Sequence, residues 1–180
     1  MNFKRTLSLA LAFVLLFALA AVPASAAEDG AKKATVMIYL CGSNLESDNL
    51  QGTKTISNIL STRYDMDDIN VVVLLGGSKA WGSGYSTKEL TLLEVGGRRP
   101  RMIEAWELAS MGDPSTLVHF LEYCHENYPA ESYDLVVCDH GGGPVYGVCQ
   151  DSLFPPDMLE TGELVDALSA SPFRDKGLDL

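Results

Sequence analysis

Residues 133–143 read YDLVVCDHGGG, and the fold turns on this stretch. Leu135, Val136, Val137 and Cys138 form an apolar run of strand length that stops at Asp139, His140 and three glycines. So uniform a run is the mark of a strand covered on both faces, as in a parallel sheet flanked by helices. Open parallel sheets bind and react at the carboxyl ends of their strands. His140 stands at such an end, and its side chain is the only kind whose ordinary pKa suits proton transfer near neutral pH.

Working outward, the same pattern recurs. Val36 to Leu40 is a second apolar strand, ending at Cys41 and Gly42, and Ile69 to Leu75 a third, ending at Gly76 and Gly77. Between them Ser47 or Asp48 can cap a helix running to about Arg63, with Leu50, Ile56, Ile59 and Leu60 on one stripe. Strand, helix, strand with short links implies parallel pairing through a right-handed crossover. Tyr85 to Val95, followed by the Gly96–Gly97 turn, reads as a small antiparallel hairpin inserted before the next helix. That helix opens with Asp113 as cap and Pro114 in its first turn, and Leu117, Leu121, Cys124 and Tyr128 share its apolar face. A last helix spans about Thr161 to Ala170 with Leu164, Val165 and Leu168 inward, and "GLDL" (Gly177–Leu180) begins a fourth core strand. The fold class expected is α/β: a mostly parallel sheet flanked by helices, truncated before completion.

At the amino terminus, Lys4 and Arg5 precede an almost wholly apolar run from Leu7 to Ala20, and Ala24 and Ala26 suit signal peptidase. Residues 1–26 therefore read as a signal peptide and 27–180 as the domain, secreted. A membrane anchor is the alternative, but the apolar run is short for one. With a net charge of −11, the chain is a poor partner for nucleic acid or anionic membranes. Cys41, Cys124, Cys138 and Cys149 are an even set in an exported chain, yet three of them sit on apolar strands or a helix face and read as buried free thiols.

The glycines after His140 let a backbone approach substrate, and their N–H groups can face a developing oxyanion. That combination suits acyl transfer. From these residues alone His140 reads equally as a loop histidine bonded to the backbone. His119 and His125 lie six apart on one helix, so they face different ways and read as solvated. No spacing among Cys138, Asp139, His140, Cys149 and Asp151 follows a structural zinc pattern, and no metal site is expected there. Cys138 is too apolar in setting for a thiolate, and nothing orients Cys149. The nucleophile belongs instead at the end of the neighbouring strand, the one beginning at Leu178. The glycines of "LLGGSKAWGSG" could cradle phosphate, but they lack the spacing and the lysine of a P-loop.

"TVMIYLCGSNLES", "DLVVCDHGGG", "GVCQD" and "ETGELVDAL" together resemble the clostripain-like cysteine peptidases, of the same clan as caspases and gingipains. The resemblance runs from about Thr35 to Leu180 and implies a caspase-like fold of which this chain is the N-terminal portion. It implies His140 as the catalytic histidine and Gly141, with Gly142 beside it, as oxyanion or substrate-binding residues, while Asn44 is a candidate for lining the cleft. The nucleophilic cysteine is expected after the next strand, past residue 180, so the 180-residue chain alone is expected to be inactive. Substrates would be peptides or proteins cleaved after Arg or Lys, with a C-terminal fragment of the same precursor as a further partner. The resemblance leaves a calcium requirement open. Family members are often activated by cleavage at a basic residue in the loop after the histidine, yet residues 141–170 hold no Lys or Arg. The rival reading is a non-catalytic exported binding domain, or an inactive truncated paralogue.

Overall fold

A computed structural model describes residues 31–180 apart from Ser83, Lys176 and Leu180; the expected signal peptide lies outside the described residues. Its frame is a five-stranded sheet. Strand β1 (Lys32–Cys41) lies between β2 (Ile69–Gly76) and β5 (Ala130–Cys138), parallel to both. Beyond β2 come β3 (Glu89–Gly96) and β4 (Arg99–Glu107), both antiparallel to their neighbours. The hairpin expected as a small insertion is thus part of the main sheet, which is mixed. Its outer strand β4 carries Arg99, Arg101, Glu104 and Glu107 and is largely exposed, a polar edge that discourages pairing with other chains.

Alternation along the apolar strands builds two cores. Met37, Tyr39, Cys41, Val72 and Leu74 face one side, where α3 (Pro114–Asn127) covers them with Leu117, Phe120, Leu121 and Cys124, and α5 (Thr161–Ala170) adds Ala167. Ile38, Leu40, Val71, Val73 and Leu75 face the other, under Ile56, Ile59 and Leu60 of α2 (Gln51–Ser61) and the ring of Trp81. A few polar atoms are buried among them. Asn70 donates to the Thr35 hydroxyl (3.0 Å), Thr35 to the Tyr128 carbonyl (2.8 Å), and the Tyr39 hydroxyl to the Met111 carbonyl (3.0 Å).

Helix α3 begins as its sequence dictates, with Asp113 accepting from the Ser115 N–H (2.8 Å) and Pro114 in the first turn. Elsewhere the helices depart from expectation. The first helical region starts at Ser43, not at Ser47 or Asp48, and breaks into α1 (Ser43–Asn49) and α2 at Leu50, whose φ is +58°. Leu50 is consequently 44% exposed and leaves the stripe that Ile56 anchors. In α5, Leu164 and Leu168 pack on the core as expected, but Val165 is 55% exposed and Ala167 takes the buried position. His125 is half-buried, its ring 5.5 Å from Phe173, whereas His119 is exposed and stacks on Trp106.

After β5 come a short turn of helix α4 (Gly143–Tyr146) and a two-stranded ribbon, β6 (Val148–Gln150) with β7 (Met158–Leu159). Gly147 makes the turn possible: its φ is +81°, and a Cβ there would stand 2.0 Å from the Leu159 carbonyl oxygen. The chain then returns to the free edge of β5. Asp179 bridges to Asp134 in parallel, donating to the Tyr133 carbonyl (3.0 Å) and accepting from the Leu135 N–H (2.8 Å).

Candidate active site

The carboxyl ends of β1, β2 and β5 lie side by side and are tied by side-chain hydrogen bonds. Gly42 keeps the loop after β1 tight: its N–H donates to the Gly76 carbonyl (2.8 Å), and a Cβ would meet the Trp81 ring at 2.8 Å. Ser43 follows with φ +43°, a left-handed conformation that costs a non-glycine residue on the order of 1 kcal/mol or more. What holds it there is visible. The Ser43 carbonyl accepts from the buried Ser78 hydroxyl (2.7 Å), and the Ser43 hydroxyl donates to Asp139 Oδ1.

Next to this contact, His140 Nε2 lies 2.8 Å from Asn44 Oδ1. The dipeptide Ser43–Asn44 after β1 therefore meets the dipeptide Asp139–His140 after β5, residue by residue. Burial pushes the Asp139 carboxyl above the ordinary carboxylate range, against the hydrogen bond from Ser43 and the neighbouring amides and imidazole. Its Oδ2 is buried with no hydrogen-bond partner among the described residues.

The three glycines divide. Gly142 gives its N–H to the Gly147 carbonyl (2.8 Å), so in this arrangement that donor closes the turn. Gly141 has open space where a Cβ would project, and none of the described backbone hydrogen bonds uses its N–H.

All four cysteines are free. Cys149, read from sequence as an unoriented loop thiol, is on β6 and wholly buried in the core. The Cys41 thiol is pushed far up by its hydrogen bond to Cys149 and by burial, and Cys124 by burial alone. Burial raises Cys138 too, which keeps it a thiol.

The loop after β2 is filled from within. Glu46, fully buried, accepts from the Thr53 N–H (2.8 Å) and hydroxyl (2.6 Å) and from the Gly82 N–H (2.9 Å). The Gly82 N–H of this loop is thus spent on a carboxylate of the chain itself. Sequence reasoning missed Glu46, Ser43 and Ser78. A polar pair close behind each of two adjacent apolar strands, "SN" one residue past β1 and "DH" directly past β5, was the available signal.

A mixed sheet between two helix-covered cores, with a histidine just past the end of one parallel strand, is an α/β fold of the caspase-like class. The chain belongs to the clostripain family, whose model matches residues 38–180. It is 30% identical to clostripain of Hathewaya histolytica over 62% of this chain and 24% of that protein. Its fold is similar to that of a secreted C11 cysteine protease from Bacteroides thetaiotaomicron bound to an irreversible peptide inhibitor (TM-score 0.57, 18% identity, 78% of this chain and 40% of that one). An inactive zymogen C11 protease from Parabacteroides distasonis is similar too (TM-score 0.56, 21% identity, 77% and 39%). The chain thus spans about a quarter of clostripain and two fifths of these structures.

Proposed function

We propose that this chain supplies the histidine half of a secreted cysteine endopeptidase that cleaves after Arg or Lys. One observation carries the reading: Asp179 forms an isolated parallel bridge to Asp134 on the free edge of β5, the strand that leads into His140. Pairing continued in this direction would run alongside the chain that leads to the imidazole. A cysteine there would be within reach. His140 takes the thiol proton as the sulfur attacks the scissile carbonyl, then returns it to the leaving amine; water next hydrolyses the thioester. The Gly141 N–H is the donor best placed to stabilise the oxyanion. The net charge of −11 favours basic substrates, and the signal-like sequence at residues 1–26 supports export.

The test is hydrolysis of a fluorogenic peptide ending in arginine by this chain and by a version extended through its native downstream codons, each with His140→Ala. Activity is expected in the extended protein only, and lost on substitution. Folded extended protein without activity overturns the peptidase reading and favours a binding domain. Activity in the 180-residue chain overturns the placement of the nucleophile.

A further inference from the structure

We infer that Asn44 is a positioning residue that fixes the tautomer of His140, leaving Nδ1 as the nitrogen that handles the proton. The inference rests on the peptidase reading and goes beyond the cleft-lining role expected of Asn44. An amide oxygen only accepts, so the 2.8 Å contact between Asn44 Oδ1 and His140 Nε2 places the ring proton on Nε2. In the neutral ring the lone pair then sits on Nδ1.

Topology gives this a direction. Asn44 lies on the β1 side of β5, whereas Asp179 enters on the opposite side. The ring nitrogens diverge, so turning Nε2 toward β1 turns Nδ1 away from it, toward the entering strand. The step is a proton transfer only: the thiol S–H proton passes to Nδ1, Nε2 keeps its own proton on the Asn44 oxygen, and thiolate and imidazolium result.

Asn44 itself is exposed and cannot be held by packing. Its position comes from Ser43, which is gripped at the carbonyl by Ser78 and at the hydroxyl by Asp139. The left-handed Ser43 is what turns Asn44 toward the ring.

The experiment uses the extended protein with wild-type sequence, Asn44→Ala and Asn44→Asp. Imidazole nitrogen shifts by NMR, with His140→Ala to assign the ring, report the tautomer; pH profiles of kcat/KM report its consequence. Wild type should show the Nε2–H form, and Asn44→Ala a mixture with kcat down about 100-fold at little changed KM. Asn44→Asp should keep the Nε2–H form and move the acidic limb of the profile to higher pH. Because residue 44 is exposed, the melting temperature should be unchanged in both. An unchanged tautomer and kcat in Asn44→Ala, or a loss confined to KM, overturns the inference. An inactive wild type that still shows the tautomer change upholds the positioning and rejects the peptidase reading.

Discussion

Replacing Glu46 by glutamine removes a charge and changes almost no volume, so its cost measures what the buried carboxylate does. The carboxylate accepts from two main-chain N–H groups, Thr53 in the first turn of α2 and Gly82 in the loop after β2, and from the Thr53 hydroxyl. An amide has one oxygen. Whichever way it is turned, either the Thr53 or the Gly82 N–H faces an NH2 group. One charge-assisted bond worth about 2 kcal/mol is lost, and the remaining two weaken by about 0.5 kcal/mol each on losing the charge. The expected destabilisation is about 3 kcal/mol, or a fall in melting temperature of about 6–12 °C for a domain of this size. Trp81 is buried beside Gly42 and Gly52, so its fluorescence in urea reports the same loss. A Glu46→Gln protein within about 1 kcal/mol of wild type would show that the carboxylate carries no such load, and the reasoning fails.

Further outcomes follow from the same geometry. Gly147→Ala should cost more than about 3 kcal/mol by urea titration, because the added Cβ meets the Leu159 backbone and φ is +81°. Asp139, whose carboxyl is raised by burial, holds its proton more tightly folded than unfolded. Unfolding free energy should therefore fall as pH rises from the unfolded value of about 3.9 through the raised folded value, a slope that urea titrations across pH should find missing in Asp139→Asn. Native protein treated with a thiol reagent should leave Cys41, Cys124 and Cys149 unlabelled, whereas all four react in denaturant. Leu121→Ala, which empties a fully buried site between α3 and the sheet, should cost about 2–5 kcal/mol by the same titration.

Strands β1 and β2 were legible because burial on both faces leaves a continuous apolar run, whereas β5, expected from the same pattern to be covered on both faces, is the outer strand among the described residues and leaves Val136 43% exposed. Helix α3 was equally plain, since Asp113 and Pro114 act locally. Three things were not. The break at Leu50 arises because the Glu46 side chain reaches the start of α2 from within α1, a tertiary contact invisible to periodicity. Tyr85 to Val95 looked like an insertion because its alternation is imperfect, and the burial of Leu90, Thr91, Leu92 and Leu93 in succession, with both faces of β3 covered, accounts for that. At the site, His140 was found from its place at a strand end. Its pairing with Asn44 depends on residues 96 positions apart, brought together only when β1 and β5 lie side by side.

Strand β1 is apolar on both faces, and this has a bearing on how its alignment is chosen. A one-residue slip in a half-buried strand drives oil into water; here it would merely exchange one dry face for the other. The deciding votes come from a few polar atoms: Thr35 bonded to Asn70 and to the Tyr128 carbonyl, and Tyr39 reaching the Met111 carbonyl. Shifted by one, each of them is stranded in the dry interior. These groups act as a vernier, setting to a single residue an alignment that greasy side chains fix only coarsely. A chain stripped of them could collapse into a well-packed body whose strand ends are out of step by one.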